Sequence, residues 1–167
     1  MRTLLLLRHA KSDWGDPDLP DHDRPLAPRG VRAGSQILAH LEAEARPELV
    51  LCSSARRTRE TLALVRPALG DGPEIRIEDD LYGASAASIL TRLRAVDPPV
   101  RSVLVVGHNP GLEDLTAALA GDAEEAALEQ LRRKFPTGAL AVLEVTTGWA
   151  ALGPGAARLT RLDVPRR

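Results

Sequence analysis

Aromatic side chains are scarce in this chain, at 2 % of its 167 residues. Leu, Val, Ile and Ala must therefore fill any core, and recognition of nucleic acid by base stacking on aromatic rings is disfavoured. Cysteine is nearly absent too. The lone Cys52 excludes an internal disulfide framework and fits a reducing compartment. Neither sign of charge dominates: 22 basic residues stand against 23 acidic ones, for a net charge of −1. Such a balance gives no long-range attraction for DNA, RNA or an anionic membrane. Lysine occurs only at positions 11 and 134, so the basic residues are almost all arginine. No apolar run approaches the ~20 residues of a membrane span. The run before Arg8 is too short for the apolar region of a signal peptide. The expectation is a cytoplasmic protein with no nucleic-acid or membrane partner.

What is present is a 44 % apolar chain, long enough to form one domain, residues 1–167, around a real core. Thr3–Leu7 is continuously apolar and reads as a strand buried on both faces. A Pro- and Asp-rich loop follows over 13–28, "DWGDPDLPDHDRPLAP", whose reading is a solvated acidic loop. A helix is expected over Arg29–Ala45 behind Pro28, with Val31, Ile37, Leu38 and Leu41 near helical spacing and His40 exposed. "ELVLC" reads as a second buried strand, and Ser53 or Ser54 as the cap of a helix through "ARRTRETLALVRPAL". "EIRIED" alternates and reads as a strand nearer an edge, and Ser85 caps a helix to about Val96. "SVLVVG" is a fourth strand. Helices near Leu112–Ala120 and Ala123–Arg133 precede two closing strands, "ALAVLEV" and "ARLTRLDV", around a turn at Gly148. The final pair is expected to add an antiparallel strand. Alternating strands and helices define an α/β fold, a three-layer α/β/α sandwich on a mostly parallel sheet.

Ligands of open parallel sheets bind beyond the carboxyl ends of the strands. The first strand exits into Arg8-His9, the fourth into Gly107-His108-Asn109-Pro110-Gly111, and the second into "SSARRTRET" with Arg56, Arg57 and Arg59. Parallel strands would bring two imidazoles and at least two guanidiniums to one sheet edge. Neutral imidazole is a competent nucleophile near pH 7. Guanidiniums hold phosphate oxygens and stay charged. Phosphoryl transfer asks mainly for positioning and for charge around three oxygens. Each element alone has a plain structural explanation, as a loop residue, a surface ion pair or a tight turn. Their joint occurrence at three strand ends favours a site.

Other chemistries fail on spacing. A cysteine phosphatase requires Arg six positions after the Cys, and that position is Thr58. "GASAA" at 83–87 lacks the last glycine of a serine-hydrolase elbow. The four histidines, at 9, 22, 40 and 108, form no HxH or HExxH pair for zinc. No metal and no cofactor is expected, and neither His22 nor His40 is given a role.

Taken together, "LLLLRHAKSDW", "SSARRTRET", "VVGHNPG" and "FPTGALAVLEV" resemble the histidine phosphatase (phosphoglycerate mutase-like) superfamily, and within it the SixA-type phosphohistidine phosphatases. The likeness runs from Leu4 to Val145. It implies the phosphoglycerate mutase-like fold, His9 as the phosphorylated nucleophile and Arg8 as a phosphoryl ligand. The family pattern in "SSARRTRET" matches Ser53, Arg57, Glu60 and Thr61, which selects Arg57 as the second phosphate ligand. His108 becomes the second histidine of the pocket, with the Asn109 amide close by and Ser12 adding a hydroxyl contact. Asp79, after the third strand, is the nearest match to the general acid of larger members. A weak acid suits phosphohistidine, whose P–N bond is labile, and handicaps alkyl esters, whose alkoxide needs a proton. The expected activity is hydrolysis of a phosphohistidine-containing protein or a small phosphorylated substrate through phospho-His9. The alternatives are a broad phosphomonoesterase of the same superfamily and a non-catalytic module that binds phospho-ligands.

Overall fold

The four leucines of 4–7 decide the architecture, because successive residues of a strand point to opposite faces. In the computed structural model, which describes residues 1–166, Leu4 and Leu6 enter one hydrophobic cluster and Leu5 and Leu7 a second. Strand β1 (Arg2–Arg8) thus lies at the centre of a seven-stranded sheet with β2 (Leu49–Ser53), β3 (Glu74–Glu78), β4 (Ser102–Gly107), β5 (Ala120–Ala123), β6 (Leu140–Val145) and β7 (Ala157–Asp163). The strand order is β3-β2-β4-β1-β6-β7-β5. Strands β3, β2, β4 and β1 are mutually parallel, β6 runs antiparallel to both β1 and β7, and β5 is parallel to β7. Only β6 therefore opposes the common direction.

The helices are α1 (Pro28–Arg32), α2 (Gly34–Glu42), α3 (Arg56–Val65), α4 (Ala86–Arg94), α5 (Gly111–Leu119) and α6 (Glu125–Arg133). Ile37 and Leu41 of α2 and Leu62 and Val65 of α3 pack on the Leu5/Leu7 face. Ile89 and Leu93 of α4, the leucines of α5 and Ala127 of α6 pack on the Leu4/Leu6 face. The result is the α/β three-layer sandwich that the sequence pattern predicts.

Three local expectations are corrected. The helix over Arg29–Ala45 is two helices broken at Ala33. Gly30 and Gly34 allow close approach there: a Cβ on Gly30 would stand 2.1 Å from the Lys11 carbonyl oxygen, and one on Gly34 3.1 Å from Leu64. Val31 is exposed and not core, and His40 is half-buried and not exposed. Between the helices expected near Leu112–Ala120 and Ala123–Arg133 lies the edge strand β5. A Cβ on Gly121 would fall 2.2 Å from the Gly155 carbonyl oxygen, so glycine permits this backbone contact. Finally, α3 has Ala55 at its N-cap and no side-chain cap. The two serines expected there bond to histidines instead.

Candidate active site

Adjacent parallel strands place their exits side by side. Arg8 pairs with Gly107 across β1 and β4, and Cys52 with Val106 across β2 and β4. Ser53, His108 and His9 consequently follow one another along the carboxyl edge of the sheet. The His9 N–H donates to the Gly107 carbonyl (3.1 Å), and the Gly138 N–H donates to the carbonyls of Arg8 (3.1 Å) and His9 (2.9 Å). The His9 and His108 rings lie 5.4 Å apart, centre to centre. Both are largely buried, at 7 % and 6 % exposure.

His9 Nδ1 stands 2.7 Å from the Ala10 carbonyl oxygen. A carbonyl only accepts, so the ring proton sits on Nδ1 and the lone pair on Nε2. Desolvation lowers the His9 pKa to about 3, helped by His108, Arg57 and Arg8 and opposed by the Ala10 carbonyl. Desolvation and then Arg57 lower that of His108 to about 4. Both rings are therefore neutral near pH 7, which leaves His9 Nε2 as a free base beside fixed cations. The position of Ala10 is fixed by Thr61 of α3, whose hydroxyl accepts the Ala10 N–H (3.0 Å) and donates to the Arg57 carbonyl (2.8 Å). Glu60 accepts the Leu26 N–H (2.8 Å), holding the acidic loop against α3.

Of the three arginines on α3, only Arg57 is buried and faces this space. Its guanidinium donates to the Asp21 backbone carbonyl (2.9 Å) and to Asp21 Oδ2 (3.2 Å). Arg8 Nη1 donates to the Phe135 carbonyl (3.0 Å). Burial lowers the Arg8 pKa and Glu113 raises it. Arg8 Nε, Arg57 Nε and His108 Nδ1 are buried without a hydrogen-bond partner among the described residues. His108 Nε2 lies 2.7 Å from Ser53 Oγ, and His22 Nε2 lies 2.9 Å from Ser54 Oγ.

Arg8, His9, Arg57 and His108 line a pocket of about 330 Å³ that also includes Ser12, Asn109, Lys11, Tyr82 and Thr137. The structure brings His9, Arg8, Arg57, His108, Ser12 and Asn109 to the lining of this one pocket. The Asn109 amide is committed, since Nδ2 donates to Phe135 O (2.9 Å) and Glu113 Oε1 (3.2 Å). Asp79 is not brought in. It opens an exposed turn after β3 and is not among the residues lining the pocket. Neighbouring Glu78 is held by a two-point ion pair to Arg92.

The acidic loop is more than the solvated segment its composition suggests. Asp21 lines the pocket, bonds to Arg57 and to Arg24 Nε (3.1 Å), and accepts the Tyr82 hydroxyl. These partners, the Tyr82 hydrogen bond first, lower its pKa to about 2, so it is ionised at neutral pH. Arg24 stacks on Trp14, 3.3 Å from the ring centre. Sequence reasoning passed over Asp21 and Tyr82. The only available signal was the position of Tyr82 beyond β3, on the side from which the other strand exits converge. Burial raises the Cys52 pKa to about 12, in keeping with an inert strand residue.

A pocket that sets a neutral imidazole among guanidiniums has the positioned charge that phosphoryl transfer asks for. The family model of the histidine phosphatase superfamily (branch 1) matches residues 4–87. An uncharacterized protein of Mycobacterium tuberculosis is 41 % identical over 166 residues, covering 96 % of this chain and all of that one. Among solved structures, the SixA phosphohistidine phosphatase candidate from Nakamurella multipartitia superposes with a TM-score of 0.83 at 37 % identity. It covers 98 % of this chain and 96 % of its own. The corresponding SixA candidate from Agrobacterium tumefaciens gives 0.82 at 33 %, with 98 % of both chains covered. The chain belongs to the histidine phosphatase superfamily, and within it to the SixA type.

Proposed function

We propose that this protein is a metal-independent phosphohistidine phosphatase that works by two displacements at His9. The observation that carries the reading is His9 itself: Nδ1 is tied to Ala10 O, and Nε2 stays unprotonated between Arg8, Arg57 and His108. In the first step the Nε2 lone pair attacks phosphorus, and the P–N bond of the substrate breaks. A substrate ring protonated on its other nitrogen leaves as neutral imidazole and takes no proton from the enzyme. The positive charge that develops on the His9 ring is met by the Ala10 carbonyl at Nδ1–H. Arg8 and Arg57 hold the phosphoryl oxygens, and His108 donates to one of them. Water then attacks phospho-His9, the new P–N bond breaks, phosphate leaves and neutral His9 returns.

The preference for a P–N bond rests on the carboxylates. Asp21, the carboxylate that lines the pocket, is ionised and occupied by Arg57, Arg24 and Tyr82, and Asp79 stands outside. Neither supports protonation of an alkoxide, the step an alkyl ester requires. The experiment compares phosphohistidine peptide, an aryl phosphate and an alkyl phosphate, each with and without chelator. The expected order is phosphohistidine first and alkyl phosphate last, with rates insensitive to chelator. A preference for alkyl esters refutes the substrate class, and loss of activity with chelator refutes the mechanism.

A further inference from the structure

Beside the phosphate pocket lies a larger groove of about 720 Å³, which shares Arg8, Lys11 and Thr137 with it. Six of its twelve lining residues are Arg or Lys, and none is Asp or Glu. In a chain with 22 basic and 23 acidic residues, a random draw of six charged side chains would be about half acidic. Both lysines of the protein, Lys11 and Lys134, line this groove. Lys11, Arg29, Arg32 and Lys134 are all exposed. Among the described residues none of the four forms an ion pair. Their charge is therefore free to act on a ligand.

Two glycines make room for the walls of the groove. Gly30 lets α1 lie on the Lys11 backbone, which brings Arg29 and Arg32 beside the exit of β1. Gly138, at φ +78°, leaves room for Pro165. Hydrogen bonds between Gln36 and the Arg166 backbone, 2.7 Å and 3.0 Å, hold the C-terminal segment as the far wall. The cations come from separate stretches of chain, and Ala33, Pro136, Val164 and Pro165 share the lining with them. A compact polyanion would call for guanidiniums converging on one point. Cations spread along a partly apolar wall match side chains distributed along an extended polypeptide.

The geometry points to a docking groove for an acidic segment of the phosphorylated protein substrate, which enters while its phosphoryl group reaches His9. This rests on the phosphohistidine-protein reading above and specifies the sequence around the phosphorylated residue. Exposed ion pairs contribute little singly, and about four of them together give roughly a tenfold preference at low salt.

Two peptides test it, each with one phosphohistidine, one flanked by glutamates and the other by serines. The wild type should favour the glutamate peptide about tenfold in kcat/KM, mainly through KM, and added salt should erode that preference. The triple variant Arg29→Ser, Arg32→Ser, Lys134→Ser leaves only Lys11 of the four, so its preference should fall to about twofold, and it should hydrolyse a small aryl phosphate at the wild-type rate. Equilibrium binding of the unphosphorylated, fluorescein-labelled glutamate peptide should weaken several-fold in the same variant. That second arm needs no turnover, so the groove stands or falls on it even if phosphohistidine is not hydrolysed. Equal kcat/KM for the two peptides in the wild type, or a preference that the triple substitution leaves undiminished, overturns the proposal. So does variant-sensitive binding of tripolyphosphate without binding of the glutamate peptide, which would assign the groove to a small polyanion.

Discussion

Replacing Ser53 by Ala should disable His108 without touching the pocket's charges. Ser53 is fully buried, and its Oγ lies 2.7 Å from His108 Nε2. The same oxygen accepts the Ala55 N–H at 3.4 Å, and its own proton is free to donate to Nε2. A neutral His108, with its pKa lowered to about 4, then carries its single proton on Nδ1, where no protein group takes it among the described residues. Alanine removes the bond that sets this tautomer and leaves Nε2 buried without a partner. An unsatisfied buried group costs about 1–3 kcal/mol, which for a chain of this size lowers Tm by roughly 5 °C. Loss of ~1–2 kcal/mol of tautomer preference lowers kcat about tenfold and leaves KM for an aryl phosphate nearly unchanged. Thermal unfolding, steady-state kinetics and ¹⁵N shifts of the His108 ring measure the three effects. A variant with wild-type kcat whose ring still carries its proton on Nδ1 would refute the role of Ser53.

Three further outcomes are expected. The folded-state pKa values of His9 and His108 lie below the unfolded value of 6.5, so a falling pH protonates the unfolded chain first. Stability present at pH 7 is then lost as pH drops from about 6.5 towards 4, by at most about 1.4 kcal/mol per pH unit per histidine; urea midpoints at pH 7 and 5 should fall, and less so in a His9→Gln/His108→Gln variant. Arg57→Lys cannot reproduce the two-point hold on Asp21 by a planar guanidinium and should cost roughly 2 kcal/mol, seen as a kcat/KM about thirtyfold lower. Gly30→Ala drives a Cβ into the Lys11 carbonyl; overpacking of about 1–3 kcal/mol should lower Tm by several degrees, and an unchanged Tm would contradict the close approach.

The sheet centre was legible because β1 and β4 are buried on both faces, and only uninterrupted apolar runs satisfy that position. With both strands parallel, Arg8, His9 and His108 had to meet at one edge. The choice of Arg57 over Arg56 and Arg59 depended on the family pattern, since helical spacing alone leaves all three open. Asp21 and Tyr82 were illegible for a different reason. They lie 61 residues apart in sequence and meet only through folding of the loop onto α3. The serines before α3 were misread because a capping residue and a histidine partner call for the same side chain. Strand β5, "AGDA", has no strand propensity of its own and exists through its contact with β7.

The central claim is a phosphoryl group on His9. It is tested most directly by mixing enzyme with phosphohistidine peptide, quenching in base during turnover, and mapping the modified residue by mass spectrometry. The expected result is one acid-labile phosphoryl group on His9, absent from an inactive His9→Gln variant. Turnover with no phosphoenzyme, phosphate on another residue, or wild-type activity in His9→Gln would contradict it.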